Sequence, residues 1–211
     1  MRPTLPAYSE AVLQTVHAPD YPIQTPRLNL RPITLDDAEA MHAYKSVADV
    51  VRYVPYGPLS RQEVEQKIAT TWAPTRFAQQ GDAVCLAVEE RSTGTLVGDV
   101  VLFWRSEESR SGEVGYIFDP RFAGRGYATE AVEALLRIGF DGLGLHRITA
   151  RLDDRNASSA RVAERLGFRR EARLVESEWF KGEWTTMLVY ALLEDEWRES
   201  AGTGKAGSAV S

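Results

Sequence analysis

Apolar residues recur at Ala128, Ala131, Val132, Leu135 and Leu136, the spacing of one helix face. The run ahead of them, Glu113-Val114-Gly115-Tyr116-Ile117-Phe118, alternates like a strand. Its alternation puts Glu113, Gly115 and Ile117 on one face and Val114, Tyr116 and Phe118 on the other. Further strands are predicted at Arg27–Arg31, Ala83–Glu90, Leu96–Trp104 and His146–Leu152, the second and third joined by a turn at Ser92-Thr93-Gly94. A terminal hairpin is predicted from Arg173–Phe180, a turn at Lys181-Gly182-Glu183, and Trp184–Leu192.

Helices are predicted between these runs. Thr34 offers an N-cap, with Asp36, Asp37 and Glu39 in the early turns. Ser60-x-x-Glu63 forms a capping box for a helix running toward Gln80, ended or kinked by Pro74. The helix after the glycine-rich junction extends to about Phe140, and another covers Asn156–Leu166 with Gly167 as its stop. The order of strands and helices predicts an α+β or mixed α/β sheet domain, not a doubly wound one. Five prolines mark residues 1–24 and their border as an arm, with a short helix over Glu10–Val16. Residues 25–197 form the domain, and 198–211 read as a disordered Gly/Ser/Ala-rich tail.

The junction Arg121-Phe122-Ala123-Gly124-Arg125-Gly126-Tyr127-Ala128-Thr129-Glu130 carries the most chemistry. Two glycines let bare backbone approach a ligand, and the unpaired N–H groups of a first helical turn favour an anion. A Walker loop is excluded because no Gly-x-x-x-x-Gly-Lys-Ser/Thr string occurs. A dinucleotide fingerprint fits poorly, since Thr129 stands where a third small residue belongs and the loop lies past mid-chain. The expectation is a phosphate-bearing cofactor held by main chain.

Composition narrows the choices without changing that picture. The 211 residues suffice for one sizeable core, with 44% hydrophobic and 26% charged residues. A net charge of −5 and the lack of a basic stripe argue against nucleic acid. Cys85 is the single cysteine, in an apolar run, so no intramolecular disulfide is expected, and no metal site is expected either. No apolar stretch approaches the roughly 20 residues of a membrane span, and no signal-peptide core appears in residues 1–25; a cytoplasmic protein is expected.

Arg121-x-x-Gly124-x-Gly126-x-Ala128 resembles the Gln/Arg-x-x-Gly-x-Gly/Ala signature of the GNAT acetyltransferases. Glu113-x-Gly115-Tyr116 is similar to their fourth strand, especially in the RimJ/RimL-like branch. Asn156-x-x-Ser159 with Glu164-Arg165-Leu166-Gly167-Phe168 resembles their second helix motif, and Thr25-Pro26-Arg27-Leu28 with Leu30-Arg31-Pro32 their opening strand. The resemblance spans about residues 25–195 and implies a mostly antiparallel sheet splayed at the cofactor site.

It also implies acetyl-CoA as co-substrate and direct acetyl transfer to an amine. In that frame the backbone of Tyr116, Ile117 and Phe118 pairs with the pantetheine arm, and a free N–H there stabilises an oxyanion. The amides of Phe122, Ala123, Gly124, Arg125, Gly126, Tyr127 and Ala128 hold the pyrophosphate, Thr129 adds a hydroxyl, and Arg121 and Arg125 add positive charge. Glu113 is the expected base; if it is instead an edge glutamate in a surface pair, a water chain carries the proton. Ser159 is the expected partner of the leaving thiolate, with Asn156 ordering the same pocket; both also suit helix capping. The tyrosine that branches of the family carry in this helix is missing, because Arg161-Val162-Ala163-Glu164 stands there, which favours Ser159.

The acceptor pocket is expected from segment 44–72 and the last hairpin, with Tyr53, Tyr56, Trp72, Trp104, Trp179 and Trp184 as candidates. Asp99, Glu107, Glu108 and Glu178 are candidate attractors of a cation. A protein N-terminal amine and a small-molecule amine stay open as acceptors. So do a non-catalytic acyl-CoA-binding module, use of a different acyl-CoA, and a homodimer.

Overall fold

In a computed structural model, residues 18–199 are described. An eight-stranded sheet runs through them in the order β1-β2-β3-β4-β5-β6-β8-β7. The strands are β1 (Ile23–Gln24), β2 (Leu28–Pro32), β3 (Ala83–Glu90), β4 (Thr95–Ser106), β5 (Ser111–Phe118), β6 (Arg147–Asp153), β7 (Arg169–Phe180) and β8 (Glu183–Leu193). Neighbours pair antiparallel except β5 and β6, which are parallel.

Each face of the sheet carries a helical layer. One holds α1 (Ala38–Lys45) and α2 (Arg61–Ala69), and the other holds α3 (Tyr127–Arg137) and α4 (Ala157–Arg165). Alternation sorts the strand residues between the two cores. Val84, Leu86, Val88 and Val114 pack with the α3 stripe of Ala131, Val132, Leu135 and Leu136. Cys85, Ala87 and Ile117 pack with Met41, Tyr44, Val64 and Trp72. Burying each large apolar side chain in these layers stabilises the fold by roughly 2 kcal/mol.

The expected elements are present with shifted ends. The Ser60–Glu63 capping box starts α2, but the helix stops at Ala69 rather than running toward Gln80. Thr70 leaves helical geometry and its hydroxyl donates to the Gln66 carbonyl, while the Trp72 N–H turns back to the Lys67 carbonyl. This reversal buries Trp72 well before Pro74 is reached. Strand β7 begins at Arg169, four residues earlier than expected, because Arg169 and Arg170 pair with Ala191 and Tyr190. The arm's last residues already join the sheet, where Ile23 pairs with Leu30. The helix expected over Glu10–Val16 lies outside the described residues. Lys181 and Gly182 both have positive φ, the backbone of a tight two-residue hairpin turn.

Candidate active site

Strands β5 and β6 pair only through Ser111, Gly112 and Glu113. Beyond Glu113 the two strands part, while β5 stays paired to β4 as far as Phe118. Peptide groups along a strand alternate in direction. The Asp119 N–H donates to Val97 on the β4 side, and the Gly112 carbonyl accepts from Thr149 on the β6 side. The main-chain groups of Val114, Tyr116 and Phe118 therefore face the opening. Those of Ile117 face β4, so Ile117 is corrected from a main-chain partner to a core side chain behind the site.

Directly after β5, Asp119 caps a short 3₁₀ turn over Pro120–Phe122, and α3 starts one loop later. The N–H groups of Phe122 and Ala123 are already used, donating to Asp119 and Pro120. This narrows the expected donor set. The N–H groups from Gly124 to Thr129 donate to no described residue. Gly124 and Gly126 hold φ of 78° and 79°, the left-handed region where glycine carries no Cβ penalty. A Cβ on Gly124 would meet nothing within 4 Å, so the space beside this glycine is open. The buried Thr129 hydroxyl has no hydrogen-bond partner among the described residues. A row of unpaired amides, the positive end of α3 and an orphaned hydroxyl together fit a phosphate.

The charges around this cradle are mostly paired. Arg121 grips Asp119, with Nε 2.8 Å from Oδ2, and so its charge is compensated next to the loop rather than held free for a phosphate. Burial raises the Asp119 carboxyl, but the Arg121 guanidinium and N–H bring it below the ordinary range. Arg125 lies over the Phe122 ring at 5.2 Å and 3.8 Å from Glu90. The Tyr127 ring is buried, and its hydroxyl donates to Glu90. Arg27, from the turn before β2, reaches the Arg125 carbonyl at 2.8 Å and Glu130 at 2.6 Å. Arg27 has the pattern of a strand residue, and nothing local in the chain places its guanidinium beside a loop 98 positions away.

Across the opening, Asn156 caps α4 by accepting from the Ser159 N–H at 3.2 Å. The Ser159 carbonyl accepts from the Tyr116 hydroxyl at 3.3 Å, while the Ser159 hydroxyl bonds no described residue. Burial pushes the Tyr116 phenol up to about 12, with the Ser159 bond working the other way.

The opposite face of the sheet carries Glu113, paired to Arg105 with Nε 3.1 Å from Oε2. On the same face Asp99 sits opposite Ile117. It binds the Lys45 ammonium at 2.7 Å and the Tyr44 hydroxyl at 2.6 Å. Lys45 is fully buried, donates to Tyr56, and lies 4.6 Å from the Trp72 ring. Tyr44, Tyr56, Trp72 and Asp99 therefore serve an internal ammonium. Burial pushes the nearby Cys85 thiol up to about 12, which leaves it an inert core group. The hairpin tip crosses toward this face, and Lys181 Nζ donates to the Val51 carbonyl at 2.6 Å. Segment 44–72 and the last hairpin thus touch through this bond. Trp179 and Trp184 pack edge-to-face on each other, 63% and 58% exposed.

Residues 27–169, more than half of the chain, match the family model of the acetyltransferase (GNAT) domain. The uncharacterized N-acetyltransferase YnaD of Bacillus subtilis is 32% identical over 176 residues, covering 83% of this chain and 98% of its own. A GNAT-family acetyltransferase structure from Bacillus anthracis is 32% identical with a TM-score of 0.73, covering 82% of this chain and 99% of that one. A Vibrio cholerae structure, described as a candidate ribosomal-protein-serine acetyltransferase, is 31% identical with a TM-score of 0.68, covering 83% and 99%. The chain belongs to the GNAT acetyltransferase family. It is an acetyl-CoA-dependent N-acetyltransferase acting on an amine. No helix among the described residues is long and apolar enough to cross a membrane.

Proposed function

We propose that the chain acetylates the α-amine at a flexible protein N-terminus, as in the RimJ/RimL-like branch. The observation that carries this is the joined roof of the acceptor side. Lys181 ties the hairpin tip to the Val51 carbonyl, so an acceptor enters as a slender chain end and not as a folded surface. The candidate ribosomal-protein-serine acetyltransferase at 31% identity supports the same class. A slender aliphatic amine would pass the same roof, and spermidine N(1)-acetyltransferase of Escherichia coli, 23% identical over 174 residues, keeps that as the second reading.

Acetyl-CoA supplies the activated acetyl thioester when bound. The amides from Gly124 to Thr129 and the Thr129 hydroxyl hold its pyrophosphate. The N–H groups of Tyr116 and Phe118 face the opening, where one donates to the oxygen that gains charge during transfer. An amine with a lysine-type pKa of roughly 10 is protonated near neutral pH, so a proton must leave before attack. Glu113 accepts it, released from Arg105 or acting through water. Ser159 donates to the leaving thiolate, and Asn156 fixes the turn that presents it.

Free-thiol release from acetyl-CoA against N-terminal peptides, polyamines, aminoglycosides and amino acids tests the reading. Release with peptides and not with polyamines is expected. Release with polyamines alone selects the second reading. CoA binding with no turnover on any amine would contradict both and favour a binding module.

A further inference from the structure

We propose that Arg27 is a positioning residue of the phosphate cradle. It turns the Arg125–Gly126 peptide so that the Gly126 N–H faces the anion, and it holds the Glu130 carboxylate out of the way. The inference rests on the reading that residues 124–129 hold the CoA pyrophosphate.

The first half follows from peptide geometry. In a trans peptide the carbonyl and the following N–H point in opposite directions. Arg27 Nη1 donates to the Arg125 carbonyl at 2.8 Å, drawing that oxygen toward β2. The Gly126 N–H is turned away from Arg27 and donates to no described residue. Gly126, which flanks this peptide, has no Cβ to oppose either sign of φ and holds φ 79°, so the peptide is easy to rotate and its direction needs an outside hold. Left to swing, the carbonyl would point its negative end at the phosphate.

The second half is electrostatic. Glu130 lies in the first turn of α3, where an acid competes with an anionic ligand for the helix's positive end. Its carboxylate accepts from the Thr25 hydroxyl at 2.6 Å, from the Arg27 N–H at 2.8 Å and from Arg27 Nε at 2.6 Å. Burial raises the Glu130 carboxyl, but these donors bring it below the ordinary range, so it stays charged and needs its counter-ion.

The platform that launches Arg27 is itself tied down. The Thr25 N–H donates to the Leu28 carbonyl at 2.9 Å, and Arg91 Nη1 donates to the Thr25 carbonyl at 2.8 Å. The Arg91 N–H donates to the Arg27 carbonyl at 2.9 Å. A side chain fixed at its base and forked at its tip serves two acceptors at once, which a lysine's single ammonium does less well.

The test titrates CoA calorimetrically into the wild type, Arg27→Ala and Arg27→Lys, and records the ³¹P shifts of the bound pyrophosphate at saturation. The expected result is about tenfold weaker binding or more in Arg27→Ala. Arg27→Lys should fall between it and the wild type. In both variants the bound ³¹P resonances should move toward those of free CoA, which a merely structural loss would not do. Unchanged affinity, or weaker binding with unchanged bound ³¹P shifts, overturns the proposal. If Arg27→Ala does not fold, Arg27→Lys decides on the same two readouts. A wild type that does not bind CoA overturns the cradle reading itself, which separates that failure from one confined to Arg27.

Discussion

The Tyr116 hydroxyl on β5 donates to the Ser159 carbonyl on α4 at 3.3 Å, across the place where β5 and β6 part. The sheet has no ladder there, and this bond ties the two lips of the opening. Replacing the phenol by Phe should cost about 1 kcal/mol at neutral pH. The folded phenol titrates at about 12, above the ordinary value near 10, so folding favours the protonated form. That contribution is fully present below about 10 and is lost as pH rises toward 12. Urea unfolding should therefore show a smaller stability difference between wild type and Tyr116→Phe at pH 11 than at pH 8. A difference that grows with pH would refute the assignment.

Gly124→Val should remove CoA binding with little loss of fold. An L-residue at φ 78° costs about 1–2 kcal/mol, which a domain of this size tolerates. The added side chain would occupy the open space beside this glycine, within the run of unpaired amides. Calorimetry and circular dichroism read the two effects separately. Full affinity with an intact spectrum would place the phosphate elsewhere.

Glu113→Gln should lower kcat/KM by about a hundredfold on the acceptor found by thiol release and flatten the acid limb of the rate profile. The Arg105 pair makes a companion test. Arg105→Ala removes the partner 3.1 Å from the carboxylate and should change kcat/KM without abolishing activity. A Glu113→Gln profile of unchanged shape would hand the proton to a water chain.

Lys45→Ala should destabilise the protein by about 3–5 kcal/mol, because it strands Asp99 beside an empty aromatic site. Thermal unfolding of Lys45→Ala and of the Lys45→Met, Asp99→Leu pair reads this out. The double variant should recover most of the loss, since the buried charge is gone from both sides. A single variant as stable as wild type would mean that the ion pair contributes nothing.

Local signals made much of this molecule legible. The Gly124–Gly126 loop stood out because glycines at a strand-to-helix junction are local, and the Ser60–Glu63 box because both partners lie within one turn. The residues that complete the site come from afar. Arg27 meets Arg125 98 positions on, and Lys45 meets Asp99 on another layer. Their side chains carry no periodic mark of such partners, so in the sequence Arg27 reads as strand and Tyr56 and Trp72 read as acceptor candidates. The end of α2 is hidden in the sequence for a related reason. Pro74 is a visible breaker, whereas the turn at Thr70 is driven by burial of Trp72 in a core assembled from distant strands.

Amide hydrogen exchange across residues 124–129, with and without acetyl-CoA, tests the central claim most directly. These N–H groups donate to no described residue, so they should exchange fast in the free protein and slow markedly on addition of acetyl-CoA. Protection that appears elsewhere while this segment stays fast would contradict the cradle and the mechanism built on it.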